Sequence, residues 1–448
     1  MLKIFNFFHT TAHIARLPQQ EIDAKYRKLR RQVFIGVIIG YLGYYLIRDN
    51  FALAMPYLLQ HGFTKTQLGM IFSALPLAYS LSKPLMATIS DRSNPRYFMV
   101  TGLILSTGLN FFWGTNLALN SFILMFILML FNGLAQGMGW PALIRVMVHW
   151  FSKNERGTKM SIIGVTQNFS RGIIGPLTIF GIFIFNSWHS IFYFPAILAS
   201  IAAVMVFLLV RDTPQSEGLP SIEEYNYKSL NCRNNPPDAN FEKELTTKEI
   251  LFNYIFVNKK LWYLSFANIF VYFVRYGIIN WAPVYLREVK EFSLNTSSWA
   301  YFLYEYAAIP GVLLCGWLSD NFFCSRRVPI CIIYMVLVSI VILFYWLIPA
   351  GNSLSIIAAL LAIGFFIYGP VFLIGSVQAL GLVPKKAAET AASFTDFFGH
   401  ILGRTIANID IGWTADNFGW NIIFTMLLIS CALAIVFLTR IGNTNYVK

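Results

Sequence analysis

Two arginines set the chemical question. Arg48 lies in "YYLIRDNFALAMPYL" and Arg275 in "YFVRYGIINWAPVYL", each far from either end of a long apolar run and 227 residues apart. A guanidinium is permanently charged and presents a planar fork of N–H donors that can grip two oxygens of one anion. In hydrocarbon such a charge snorkels to an interface, pairs with an acid, or faces a water-filled interior. At 1.5 Å per residue, each arginine lies about 20 Å into a span of roughly 35–40 Å, which is mid-depth and argues against snorkelling. Asp49 follows Arg48 directly but projects about 100° away around an ideal helix. Two forks at equal depth around a shared aqueous cavity suit a phosphate dianion.

Such residues need a membrane-spanning scaffold, and the composition supplies one. The 448 residues are 56% hydrophobic, 17% aromatic and only 12% charged, with a mean hydropathy of +0.58. The chain is therefore expected to be an all-α, polytopic membrane protein. Apolar stretches predict twelve spans, near 33–59, 66–90, 97–115, 121–150, 161–186 and 190–210, then 261–286, 297–319, 328–348, 353–380, 388–414 and 419–440. Between the sixth and seventh, "RDTPQSEGLPSIEEYNYKSLNCRNNPPDANFEKELTTKE" breaks the apolar pattern with prolines, asparagines and mixed charge. The expected organisation is a cytoplasmic segment 1–32, an N-terminal six-helix bundle 33–210, a cytoplasmic linker 211–257, a C-terminal six-helix bundle 258–440 and a cytoplasmic tail 441–448. The opening segment is polar and amphipathic, lacks a signal-peptide cleavage pattern, and is expected along the inner membrane surface.

The net charge of +13 is distributed by membrane side, which argues against a nucleic-acid partner. Lys25, Arg27, Lys28, Arg30 and Arg31 precede the first span, and Arg92, Arg96, Lys153, Arg156, Lys159, Arg326, Arg327, Lys385 and Lys386 fall in alternate loops. The intervening loops hold only Lys65, Arg287 and Lys290, so both termini are expected in the cytoplasm. Cys232, Cys315, Cys324, Cys331 and Cys431 show no metal-ligand spacing, and no disulfide framework, zinc site or other cofactor is expected. Phosphate-loop, GxSxG and HExxH patterns are absent, which leaves ATP-driven pumping and hydrolysis without support. The chain is not expected to be an enzyme.

The two halves repeat in register. Tyr45 and Arg48 match Tyr272 and Arg275, and Pro56 matches Pro283, all at a shift of 227; Asp91 matches Asp320 and Pro141 matches Pro370 at 229. A duplicated six-helix unit of this kind is the signature of parallel repeats in secondary transporters.

The segments "ARLPQQEIDAKYRKLRRQ", "RDNFALAMPYL", "SDRSNPR", "QGMGWP", "MVHWFSKNERG", "RDTPQSEGLPSIEEY", "VRYGIINWAPVYLREVK", "SSWAYFLYEYAAIPG" and "VPKKAAETAA" run along nearly the whole chain. Through them it resembles the organophosphate:phosphate antiporters of the major facilitator superfamily, and within these the glycerol 3-phosphate branch. The resemblance implies a twelve-helix fold of two pseudo-symmetric bundles in a bacterial plasma membrane. It also implies exchange of an external organophosphate for inorganic phosphate by alternating access, carried out by a monomer in the lipid bilayer. In the family the arginines of helices 1 and 7 clamp the phosphoryl group, positions matched by Arg48 and Arg275. Lys83 in "LSKPLM", Tyr45, Tyr272 and Glu305 match further cavity positions. Packing between helices is the alternative role for the two tyrosines. Asp91, Arg92 and Asp320 are expected in ion pairs that gate the cytoplasmic end.

The chain departs from the family where charge matters most. Gln167 stands where the family has a histidine, so a titrating role there does not carry over. Arg171 replaces a glycine, Asp49 a basic residue and Asn280 an aspartate, while Glu389, Asp396, His400 and Arg404 add polar groups to helix 11. The repeat maps Gln167 onto Asp396 and Arg171 onto His400, which leads to two expected pairs: Arg171 with Glu305 and Lys83 with Asp396. Three other activities fit the sequence less completely. They are a transport-inactive phosphate-ester sensor, a hexose-phosphate transporter, and a proton-coupled symporter using Glu305 or Asp396.

Overall fold

The computed structural model describes residues 8–441 apart from 116, 118–120, 223, 226–248, 324, 325, 379–381 and 384–386. Much of the expected linker, the tail beyond 441, Cys232, Cys324, Lys385 and Lys386 lie outside the described residues. In chain order the first half contains α1 (Gln19–Leu46), α2 (Phe51–Gln60), α3 (Lys65–Ser90), α4 (Pro95–Trp113), α5 (Phe122–Gln136), α6 (Gly139–Trp150), α7 (Lys153–Phe185) and α8 (Ser190–Leu209). The second contains α9 (Lys259–Glu288), α10 (Leu294–Asn321), α11 (Arg327–Leu347), α12 (Ser353–Phe372), α13 (Ala388–Phe398), α14 (Thr405–Asn417) and α15 (Trp420–Ile441). Spans 1, 4 and 11 are each built from two of these helices, which gives the twelve spans of two six-helix bundles.

Among the described residues, eight spans are long and apolar enough to cross a membrane by length and composition alone. Spans 1, 2, 3 and 11 fall outside this set; they contain Arg48, Asp49 and Asn50; Lys83; Asn110; and Asp396, His400 and Arg404.

The helix that carries span 1 starts before the span does. Ile22, Tyr26, Leu29 and Val33 are buried at helical spacing, so α1 runs unbroken from Gln19 into the apolar run that begins at Val33. The stripe packs on the first half's own linker: Tyr26 stacks on Tyr225 with ring centroids 4.1 Å apart. Upstream, the Thr11 N–H donates to Asp212 (2.8 Å) and the Leu17 N–H to the Gly218 carbonyl (3.0 Å), strapping the N-terminal segment to residues 212–218.

The chain leaves the helix between α1 and α2, at 47–50, with Arg48 inside the break. A break buried in a bundle strands backbone carbonyls, and each needs a partner. Three side-chain amides supply them. Asn110 donates to the Ile47 carbonyl (3.1 Å), Asn132 reaches the same oxygen at 3.4 Å, and Gln136 donates to the Tyr44 carbonyl (3.0 Å). Span 11 deviates similarly through a π-helical turn, Gly399–Arg404, between α13 and α14.

Besides the packing of α2 on α9, two helix pairs join the halves more extensively, α3 with span 11 and α7 with α10. Their approach is close enough to require glycine: a methyl at Gly69 would lie 2.3 Å from the Asn408 carbonyl oxygen, and one at Gly175 would lie 2.2 Å from that of Ser298. At the same end the Lys65 ammonium lies 3.2 Å from Glu288, and Thr66 donates to Asp416 through its N–H (2.7 Å) and its hydroxyl (2.6 Å). At the end carrying the N-terminal segment the helices spread. There Gly164 of α7 and Gly316 of α10 meet nothing within 4 Å, and Leu81, Leu85 and Trp317 are exposed.

Candidate functional site

Arg48 is held in the break of span 1, where it is 4% exposed. Its guanidinium lies 4.2 Å above the Tyr79 ring of α3 and 5.3 Å from the Tyr45 ring. Arg275 projects from the unbroken α9, 4.0 Å over Tyr368 of α12 and 4.8 Å from Tyr276. Stacking on a ring face holds a guanidinium plane in place while leaving its N–H edge free. The Nε atoms of both arginines and Nη2 of Arg275 are buried without a hydrogen-bond partner. Among the described residues, neither guanidinium forms an ion pair.

Between them sits a second cluster. Asp49 accepts a hydrogen bond from Nη2 of Arg404 (2.6 Å), and its other oxygen lies 3.0 Å from Nε of Arg171. All three residues are buried. Tyr276 links this cluster to Arg275, since its ring lies 4.4 Å from Arg404 and 5.9 Å from Arg171, and its hydroxyl is 3.4 Å from Nη2 of Arg171. The Tyr45 ring, 4.9 Å from Arg171, links it to Arg48.

A third cluster lies toward the spread end. Lys83 donates to Asp396 (3.2 Å), Tyr272 donates to the same carboxylate (2.8 Å), and Nε2 of His400 lies 3.7 Å from it. His400 packs edge-on between Tyr79 and Tyr272.

The expected pair of Lys83 with Asp396 is therefore present. The expected pair of Arg171 with Glu305 is not: Arg171 pairs with Asp49, and the buried Glu305 accepts from the Tyr368 hydroxyl. The reason is the break at 47–50, because an ideal helix gives Asp49 no bearing on α7 and the non-helical turn does. Gln167 is half-buried, one turn before Arg171 on α7. Asp91 and Arg92 are exposed at the spread end, where the Asp91 backbone carbonyl accepts from Arg145 (2.5 Å) and Asp320 is exposed on α10. Among the described residues, neither Asp91 nor Arg92 forms an ion pair across the halves. Sequence reasoning did not single out Tyr79, Tyr276 and Tyr368. The first sits one turn before Lys83 and the second beside Arg275, so their spacing carried a signal; Tyr368 had only its place before the "GP" of α12.

An apolar cavity of about 430 Å³, lined by Met86, Leu105, Phe131 and Met138 among others, lies between α3, α4 and α5. Its lining offers an anion nothing, so the arginine clusters are the candidate site. No group of three or more metal-ligating side chains occurs among the described residues.

Residues 34–408 match the family model described as Major Facilitator Superfamily. The chain belongs to this superfamily. A glycerol-3-phosphate transporter of Bacillus subtilis (strain 168) is 55% identical to it over 446 residues, covering 99% of each chain. A glycerol-3-phosphate transporter of Haemophilus influenzae is 44% identical, covering 97% of this chain and 95% of that one. Among solved structures, a bacterial homologue of the human lysosomal transporter Spinster superposes with a TM-score of 0.70 at 16% identity, covering 92% and 95% of the two chains. That level of identity speaks to the fold alone. The family match makes this chain a multi-pass membrane transporter, and the two relatives place it with the organophosphate transporters.

Proposed function

We propose that the protein imports glycerol 3-phosphate, or a related organophosphate, across a bacterial inner membrane in exchange for inorganic phosphate. In this reading both termini lie in the cytoplasm, and the spread end faces inward. The observation that carries this reading is the contrast among four buried arginines. Arg171 and Arg404 share the carboxylate of Asp49, whereas Arg48 and Arg275, one from each half, stack on tyrosines with unsatisfied N–H groups. A phosphoryl dianion would supply the missing acceptors, with Lys83, Tyr45, Tyr272, Gln167 and Glu305 shaping the surrounding cavity.

The mechanism follows from charge. Without an anion the two guanidinium groups repel across the interface of the halves, which opposes their approach. A bound dianion cancels the repulsion and lowers the barrier to rocking between inward and outward states. Return without an anion is slow, so transport becomes exchange. The closed end is held by Lys65 with Glu288 and Asp416. Asp91, Arg92 and Asp320 are proposed to form the corresponding contacts when the inward end closes.

The direct test is uptake of labelled glycerol 3-phosphate into proteoliposomes. Uptake that requires internal phosphate supports the reading; binding of glycerol 3-phosphate with no exchange would replace it with a sensor.

A further inference from the structure

Asp49 pairs with two arginines at once; it follows Arg48 in the chain, and the Tyr276 ring links its cluster to Arg275. Its carboxylate, 2% exposed, joins Arg171 of α7 to Arg404 of span 11, and so bridges the two halves at the depth of Arg48. Nη1 of Arg171 and both Nε and Nη1 of Arg404 are buried with no hydrogen-bond partner. Arg171, Arg275 and Arg404 all lie around the Tyr276 ring. The buried guanidinium groups thus define two anion positions: the one assigned above to Arg48 and Arg275, and a second already filled by a side-chain carboxylate.

We propose that Asp49 is a specificity-determining residue, a tethered carboxylate that occupies the second anion position and excludes phosphate monoesters bearing a carboxylate of their own. A substrate whose non-phosphoryl end is a neutral alcohol leaves Asp49 paired. A phosphorylated carboxylic acid, typified by 3-phosphoglycerate, meets Asp49 as a like charge and finds its matching guanidinium groups taken. The inference rests on the proposed phosphate exchange, and its test reads a ratio so that the two can fail separately.

The experiment is labelled phosphate exchange by the full-length protein in phosphate-loaded proteoliposomes, competed by glycerol 3-phosphate or by 3-phosphoglycerate. The quantity read is the ratio of the two half-inhibitory concentrations. Asp49→Asn frees both arginines, and the ratio is expected to move at least about tenfold toward 3-phosphoglycerate. Asp49→Asn with Arg171→Gln restores the charge balance and should return the ratio to that of the unaltered protein. Arg404→Gln, which keeps Asp49 and removes one of its partners, should move the ratio the opposite way, and it serves if Asp49→Asn does not accumulate in the membrane. An unchanged ratio in Asp49→Asn or Arg404→Gln, or an equal shift in the single and double variants, overturns the proposal. Unaltered protein that exchanges no phosphate would instead defeat the proposed function.

Discussion

At the residue scale, the charges divide into those paired with one another and those that the proposed function assigns to a ligand. Lys83 pairs with Asp396, and Asp49 pairs with Arg171 and Arg404, while Arg48 and Arg275 stack on aromatic faces and, among the described residues, form no ion pair. Replacing Arg48 with Lys keeps the charge but loses the fork, and one charge-assisted bond of about 1.5–3 kcal/mol translates into a roughly 10- to 150-fold weaker half-saturation for phosphate. Exchange kinetics measure this directly; near-normal half-saturation would remove Arg48 from the clamp. For the third cluster the expected result is mutual rescue. Lys83→Gln and Asp396→Asn should each impair exchange more than the two combined, because a single change strands the partner's charge in a partly buried place. The two arginines were legible in the sequence because a permanent charge at mid-span is rare, and the repeat placed both at one depth. The pairing of Asp49 with Arg171 and Arg404 was not. Its bearing depends on a departure from helical geometry that adjacent positions in the sequence do not reveal.

At the element scale, the broken span 1 and the glycine contacts between halves carry the argument. The break is tolerated because Asn110, Asn132 and Gln136 replace lost backbone partners. Asn110→Ala leaves the Ile47 carbonyl and the Asn50 side chain each short of a bond, a cost of about 1–3 kcal/mol that should appear as a lower melting temperature in detergent. A surface control such as Lys28→Ala should leave that temperature unchanged. The close crossing of α7 and α10 makes a different prediction. Gly175→Val would push into the Ser298 carbonyl and disfavour the state in which this end is closed. A cysteine placed at Thr66 in that variant should react faster with a membrane-impermeant thiol reagent added outside; an unchanged rate would mean that the crossing does not hold the end shut. Apolar runs announced the helices themselves. The break at 47–50 and the π-helical turn of span 11 were hidden, since both are decided by which polar side chains from other helices reach the backbone.

At the scale of the whole molecule, the halves meet at one end and part at the other, as alternating access requires. The duplication at 227–229 residues made the two-bundle fold readable from sequence alone, because equivalent arginines, acids and prolines recur in order. Which end is closed was not readable, for the same chain must close either one. Weakening the closed end by Asp416→Asn, which leaves Lys65 with Glu288 alone, is expected to raise external accessibility of the cavity while leaving competition between substrates unchanged. A changed substrate preference would show that Asp416 acts beyond the gate.

The central claim is that a phosphoryl anion bridges Arg48 and Arg275 and that its exchange is the transport cycle. Counterflow in phosphate-loaded proteoliposomes, comparing the unaltered protein with Arg275→Lys, tests it most directly. The account predicts glycerol 3-phosphate uptake that depends on internal phosphate and is lost in the variant. Uptake that proceeds without internal phosphate, or that survives the change at Arg275, would contradict it.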